Sequence, residues 1–144
     1  MGVGANKNYV QDVELLLQDA DNITADAAGE ISSVAKVLDL GLAFVEGDLI
    51  LDFNTVDFGT ADETYEIKFQ LSNSSSFASG IADKLSVHKG DATSPSDIDN
   101  IATGREVVPF NNEHEGVIYR FCRLFFDVGG TTPILNLDAF LAKR

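Results

Sequence analysis

Apolar and polar residues alternate along much of the chain with a period of two, the spacing of a β-strand that is buried on one face. The clearest case is TYEIKFQLS, residues 64–72. Its apolar set is Tyr65, Ile67, Phe69 and Leu71, and its polar set is Glu66, Lys68, Gln70 and Ser72. The pattern predicts a strand with one face in the core and one in water.

Other segments show similar patterns, separated by glycines at intervals of about 10 to 20 residues, as in turns. The predicted strands cover residues 10–17, 34–40, 47–58, 65–72, 81–88, 105–110, 117–128 and 134–141. Residues 10–20 could instead form a short helix, and residues 97–102 one helical turn. We expect an all-β fold, a jelly-roll β-sandwich of about eight antiparallel strands.

The length of 144 residues fits one domain, because a chain of this size buries roughly 70% of the surface that it exposes when extended. Residues 1–9 are polar and are predicted to be a flexible N-terminal arm, followed by a single jelly-roll domain over residues 10–144. Residues 89–100, KGDATSPSDIDN, are predicted to be a long polar loop. No internal repeat or linker indicates a second domain.

The stretch RFCRLFFDVGGTTP, residues 120–133, carries bulky apolar residues on both faces of its predicted strand. One face has Cys122, Leu124, Phe126 and Val128, and the other has Phe121, Arg123, Phe125 and Asp127. The first set is predicted to fill the core. The second is predicted to contact another polypeptide through Phe121 and Phe125, with Arg123 pairing a carboxylate of the partner. Alternatively, a loop or the N-terminal arm of the same chain covers this face.

The formal net charge is −13, and all of the excess lies in residues 1–99, which hold 18 acidic and 5 basic side chains. Phosphate backbones are bound by Lys and Arg, so we expect no nucleic-acid partner. No apolar run approaches the ~18 residues of a membrane span, and residues 1–10 lack the apolar stretch of an export signal, so we expect no membrane partner. The acidic residues either form a solvated face or meet basic segments of a partner, with Asp12 and Glu14 as interface candidates together with Asp19, Asp21 and Asp26.

Candidate catalytic and metal-binding groups are few. The only cysteine, Cys122, is predicted to be a small buried hydrophobe. Residues 19–30 share acidic positions with a calcium loop, but Ile23 and Thr24 stand where an oxygen ligand and a glycine are needed, so a polar connection between strands is predicted. His88 and His114 are predicted to be solvated. We expect no catalytic activity, no cofactor and no metal.

Four segments in order resemble the capsid cement (decoration) proteins of tailed bacteriophages. They are VLDLG at 37–41, EGDLILDF at 46–53, YEIKFQLSNSSSF at 65–77 and RFCRLFFDVGGT at 120–131, and the resemblance covers about residues 34–141. It implies a jelly-roll sandwich without catalysis that forms a homo-oligomer, a dimer in preference to a trimer. It also implies that the protein, made in the host cytoplasm, sits on the capsid exterior of the virion, across joints between major capsid protein subunits.

Two other functions remain open at this point. Jelly rolls also serve as carbohydrate-binding modules, which stack exposed Trp or Tyr rings on sugars. This chain has no Trp and only Tyr9, Tyr65 and Tyr119, which disfavours that role. A tail or baseplate adaptor would share the fold class.

Overall fold

The computed structural model describes residues 15–60, 62–90 and 103–143. Within these ranges the protein is an all-β sandwich with antiparallel pairing, which confirms the predicted fold class. In this part of the chain no helix has the length and apolarity needed to cross a membrane. The predicted arm at 1–9, the first part of the predicted strand at 10–17, most of the polar loop and the helical turn at 97–102 lie outside the described residues.

The strands are numbered in chain order. They are β1 (Leu16–Ile23), β2 (Ala27–Ala28), β3 (Glu30–Ile31), β4 (Val34–Ala35), β5 (Leu38–Asp39), β6 (Glu46–Val56), β7 (Thr64–Ser72), β8 (Ala82–Lys89), β9 (Gly104–Asn111), β10 (Glu113–His114), β11 (Val117–Ile118), β12 (Phe121–Gly129) and β13 (Leu135–Lys143). Sheet one has the order β1-β13-β6-β9. Sheet two has the order β2-β12-β7-β8, with β5 also paired to β12.

The chain passes between the sheets from β1 to β2, β5 to β6, β6 to β7, β8 to β9, β9 to β12 and β12 to β13, so its described loops gather at two ends of the sandwich. One end, here called the hairpin end, has the loops 40–45, 73–81 and 112–120. The opposite end, here called the acidic end, has the described loops 24–26, 57–63 and 130–134. Asp26, Asp57, Asp62 and Glu63 belong to these loops, which contain no Lys or Arg among their described residues.

The core forms because every second residue of the long strands points between the sheets. Sheet two contributes Tyr65, Ile67, Phe69 and Leu71 from β7 and Cys122, Leu124 and Phe126 from β12. Sheet one contributes Leu49, Leu51 and Phe53 from β6 and alternate residues of β13. The alternation that predicted these core positions is therefore confirmed.

The outer face of sheet one also carries apolar residues. Leu16, Phe140, Ile50 and Val107 pair in one row across β1, β13, β6 and β9. Ile50 and Phe140 are fully buried, and the Arg105 guanidinium lies 5.7 Å from the Phe140 ring. Bulky apolar residues on both faces of a strand are thus found in both sheets.

Three predicted strand boundaries are wrong. β1 continues to Ile23, so residues 19–23 of the polar connection predicted at 19–30 belong to this strand, and Leu16–Ala20 is not helical. An edge strand accepts such polar residues because its outer side meets water. The predicted strand at 34–40 is divided into β4 and β5, and the one at 117–128 is interrupted at Tyr119 and Arg120.

A tight turn joins β12 to β13 at the acidic end. Gly130 has φ +110°, and a Cβ added there would lie 2.6 Å from the Glu63 Cα and 2.8 Å from the Asp62 carbonyl oxygen. The Asp62 carboxylate accepts hydrogen bonds from the Thr131 hydroxyl and backbone N–H and from the Thr60 hydroxyl. These bonds hold the pKa of Asp62 well below its ordinary value, and they fasten β12 to the loop before β7.

Candidate functional site

β12 separates the core from the candidate contact surface. Cys122, Leu124 and Phe126 are fully buried in the core, which confirms the predicted inner face and the buried role of Cys122. Phe121, Arg123 and Phe125 lie on the opposite side and are half-buried, while Asp127 is exposed. We call this side of sheet two, with the residues of β7 and β8 that share it, the outer face.

Arg123 is held at the centre of the outer face by neighbours on three elements. Its guanidinium carbon lies 4.5 Å from the centre of the Phe77 ring and 5.4 Å from that of Phe125. Its Nε donates a 2.8 Å hydrogen bond to the Gln70 side-chain oxygen, and the Gln70 amide nitrogen donates to Asp83 at 2.9 Å. Burial lowers the pKa of Arg123, and the nearby Asp83 charge opposes this effect.

Phe121 lies at the hairpin end of the same face, beside a closed ion pair. The Arg120 guanidinium carbon is 5.1 Å from the Phe121 ring centre. Arg120 donates to both oxygens of Asp39, at 2.9 and 2.8 Å, and the backbone N–H of Gly41 also donates to Asp39. The hydrogen bond from Arg120 and then that from Gly41 lower the Asp39 pKa from 3.8 to about 2.

Charged side chains cover the outer face toward the acidic end. Asp127 and Glu66 are directly opposite on β12 and β7, and Lys68 lies 3.9 Å from both carboxylates. The His88 ring is 3.4 Å from Glu66. These partly exposed pairs contribute little to stability individually, but Lys68 offsets the repulsion between the two carboxylates.

The structure therefore brings together three of the eight residues predicted for the interface, whereas Asp19 and Asp21 lie on β1 of sheet one and Asp26 lies in the loop after it. Phe121, Arg123 and Phe125 share one face, and Phe77 from the 73–81 loop of the same chain partly covers Arg123. Asp12 and Glu14 lie outside the described residues. Whether another polypeptide contacts this face stays a prediction.

Sequence reasoning misses Gln70 and Phe77 as members of this surface. The pattern predicts Gln70 only as a polar strand position, and Phe77 as an anchor after a Ser-rich turn. Phe77 reaches Arg123 from a backbone with φ +54°, a left-handed conformation that a phenylalanine rarely adopts. The sequence feature that could have pointed to Phe77 is the Ser-rich run before it, which predicts a turn but not the direction in which the chain leaves it.

The hairpin end is a second candidate contact surface, because several of its apolar side chains are exposed to solvent. Leu42 is 83% exposed and Phe44 is 53% exposed, and Ile81, Val117 and Ile118 are also exposed. The buried Asn112 side chain fixes two of the loops, because it accepts from the Val45 N–H and donates to the Ala43 and Tyr119 carbonyls. Asn73 accepts from the Arg120 N–H and ties in the third loop.

The polar groups that the sequence offers as metal or catalytic candidates do not converge. His88 is mostly exposed beside Glu66, and the half-buried His114 lies 3.9 Å from Glu115 in the β10–β11 hairpin. Among residues 15–60, 62–90 and 103–143, no three His, Cys, Asp or Glu side chains are grouped as a metal ion would require. The carboxylate of Asp19 instead accepts the Ser32 N–H of the β3–β4 hairpin.

No protein-family model matches this sequence, and the search of curated proteins also found no match.

Proposed function

We propose that the protein is a capsid cement (decoration) protein, a structural virion component that binds the outside of a tailed-phage head and stabilises contacts between major capsid protein subunits. One observation supports this above the others. Three of the four segments that resemble the cement family meet on the outer face, through Asp39 from the first, Gln70 and Phe77 from the third, and Arg120 to Phe125 from the fourth. The resemblance is thus concentrated where the sequence predicts a contact.

The same proposal includes the finer fold assignment, a jelly roll. The strand orders β1-β13-β6-β9 and β2-β12-β7-β8 place strands from early and late in the chain side by side in each sheet. The repeated passage of the chain between the two sheets supports two interlocked Greek keys.

Cementing works by mass action and needs no catalysis. A protein that binds the assembled shell and not its separated subunits shifts the equilibrium toward the shell by RT ln(1 + [L]/Kd) per site. Many modest contacts repeated over a head then resist internal pressure. The half-buried Phe121 and Phe125 rings suit this role because covering them removes further apolar surface from water, at about 25 cal/mol per Å².

For the homo-oligomer we propose the hairpin end as the contact with a second copy, with a dimer favoured over a trimer. Its apolar side chains lose water when they are covered, whereas the acidic end of one copy would repel that of another. Joining two hairpin ends also keeps the two acidic ends far apart. The outer face then remains available for the shell.

A carbohydrate-binding role is disfavoured by where the described tyrosines lie. Tyr65 is fully buried and its hydroxyl donates to the Asp57 carbonyl, while Tyr119 is partly buried against the core. Neither offers an open ring for stacking on a sugar, and Tyr9 lies outside the described residues. A tail or baseplate adaptor would use the same kind of surface. The two roles are distinguished by whether the protein binds tails or heads.

Purified phage heads test the proposal. The protein should sediment with heads at a fixed ratio to the major capsid protein, and heads that lack it should lose integrity at lower temperature or on addition of a chelator. Phe125→Asp should abolish binding while keeping the fold, and Val34→Asp, an exposed position on the β3–β4 hairpin, should bind normally. Association with tails alone, or with polysaccharide and not with heads, would contradict the cement role.

A further inference from the structure

We propose that Arg123 is a carboxylate-binding position, which takes an Asp or Glu side chain of the protein that covers the outer face. This inference rests on the proposed function for the identity of the partner, but not for the chemistry of the site. The capsid protein would then present an acidic side chain, not a basic one, at the centre of the contact.

The three arginines with described side-chain contacts differ in how they are paired. Arg105 donates to both oxygens of Asp52, at 2.6 and 2.8 Å, and Arg120 donates to both oxygens of Asp39. Arg123 has no ion pair with any carboxylate of the described residues, and only its Nε has a hydrogen-bond partner there. The guanidinium fork, which matches a carboxylate with two parallel bonds, is therefore not used by this part of the chain.

Gln70 stands between Arg123 and the carboxylate of Asp83. Its side-chain oxygen accepts from Arg123, and its amide nitrogen donates to Asp83, so the amide lies between the cation and the carboxylate. A glutamate at position 70 would have closed the ion pair within the chain. Glutamine instead orients the guanidinium, whose charge is not in direct contact with a carboxylate of the described residues.

The two phenylalanine rings preorganise the Arg123 side chain for binding. Phe77 and Phe125 lie 4.5 and 5.4 Å from its guanidinium carbon and restrict the side chain, so less conformational entropy is lost when a ligand binds. The two terminal nitrogens of Arg123 are not fully buried, so water or a partner can reach them.

The net negative charge of the chain gives a contact at Arg123 a role in positioning the partner. In a chain of net charge −13, an approaching acid is repelled over most of the surface and attracted at this position. Lys68 and Arg120 on the same face are paired with carboxylates, so Arg123 is the cation that would fix where the partner docks, more than how tightly it docks.

The first experiment uses the isolated protein and acetate as the probe. In ¹H–¹⁵N spectra, the Arg123 Nε–H signal should shift with added acetate and saturate, while the Arg105 and Arg120 signals, already paired, should move several-fold less. Sodium chloride at equal ionic strength is the control. The double variant Gln70→Glu/Asp83→Asn, which keeps the net charge and moves the acid next to Arg123, should abolish the shift. Equal shifts for all three arginines, or an unchanged shift in the double variant, would overturn the proposal.

The second experiment measures binding to heads. Arg123→Lys keeps the charge but loses the fork, and it should weaken binding about tenfold, the effect of one lost hydrogen-bonded contact. Arg105→Lys should change it by less than about twofold. If both variants bind as the parent does, Arg123 does not bind a carboxylate of the shell, although the protein remains a cement. If the acetate signal is present and no variant or parent binds heads, the cement role fails and the site stands.

Discussion

Arg120 and Arg123 are three residues apart and use the same guanidinium group in different ways. Arg120 closes a two-bond ion pair with Asp39 and so fastens the short strand β5 to β12. Arg123 is packed between aromatic rings. Its only described hydrogen bond is donated to an uncharged amide, the side chain of Gln70. The first arginine stabilises the fold, and we propose that the second binds a carboxylate of another protein.

The Asp39 pair has a pH dependence whose sign follows from its lowered pKa. Because the Asp39 pKa falls from 3.8 to about 2 on folding, its contribution to stability is complete above pH 4 and is lost as the pH falls toward 2. We expect Asp39→Asn to unfold at lower urea concentration than the parent at pH 6, with the difference disappearing near pH 2. Adding Arg120→Gln to this variant should cause little further loss. A difference that persists unchanged at pH 2 would contradict this account.

For single residues, the sequence predicts burial more reliably than it predicts side-chain contacts. Alternation alone indicates that Cys122, Leu124 and Phe126 face the core, because the pleat of a strand leaves no other choice. The bridge through Gln70 depends on the register between β7, β8 and β12, and the position of Phe77 depends on a left-handed backbone. Neither register nor a rare φ can be derived from a period-two pattern.

At the scale of the strand, Leu124 and Phe125 provide a matched pair on opposite faces of β12. Leu124 is fully buried in the core, so Leu124→Ala should cost about 2–5 kcal/mol in the free energy of unfolding. Phe125 is half-buried, and Phe125→Ala should cost about 1 kcal/mol. Urea unfolding of both variants is the measurement. Equal losses would mean that the outer face is as much a part of the core as the inner one.

The β12–β13 turn offers a second comparison, between two glycines with positive φ. Gly116 has φ +84°, and a Cβ added there would meet no other atom within 4 Å, so Gly116→Ala should cost only the backbone strain, about 1–2 kcal/mol. Gly130→Ala adds a contact with the Glu63 backbone and should cost clearly more, with a lower thermal midpoint. A smaller loss for Gly130→Ala than for Gly116→Ala would contradict the close approach of the β12–β13 turn to the loop before β7.

Continuous strands are predictable from the sequence, and interrupted ones are not. β7, β8, β9 and β13 lie within a residue or two of their predicted bounds because each pairs along its whole length with a long neighbour. β4 and β5 are separated because β4 pairs with β3 while β5 pairs with β12. Such a change of partner depends on tertiary contacts, which no local pattern contains.

At the scale of the whole molecule, the two ends of the sandwich differ in chemistry. The hairpin end exposes apolar loops that Asn112 holds in place, and the described loops of the acidic end carry carboxylates without basic side chains. This difference between the two ends is the basis for the proposed self-association through the hairpin end.

The self-association that we propose can be tested without any phage particle. Light scattering should give the mass of a dimer at micromolar concentration, and Phe44→Asp should give the mass of one chain with an unchanged circular dichroism spectrum. Val34→Asp replaces another strongly exposed apolar residue, 67% exposed but on the β3–β4 hairpin, and should remain dimeric. Loss of the dimer in Phe125→Asp and not in Phe44→Asp would assign self-association to the outer face instead.

The strand β9 limits how such molecules can add to one another. It is one of the two outermost described strands of sheet one, and it carries Pro109 on a ladder that continues with β6 without a shift in register. Proline is accepted at such a margin because its missing N–H then faces away from the existing ladder. An incoming strand from another copy would find a hydrogen-bond donor absent there, so runaway fibril growth along this margin is disfavoured. If many copies lie side by side on a phage head, as we propose, the missing donor would keep the sheets of neighbouring copies from joining along β9.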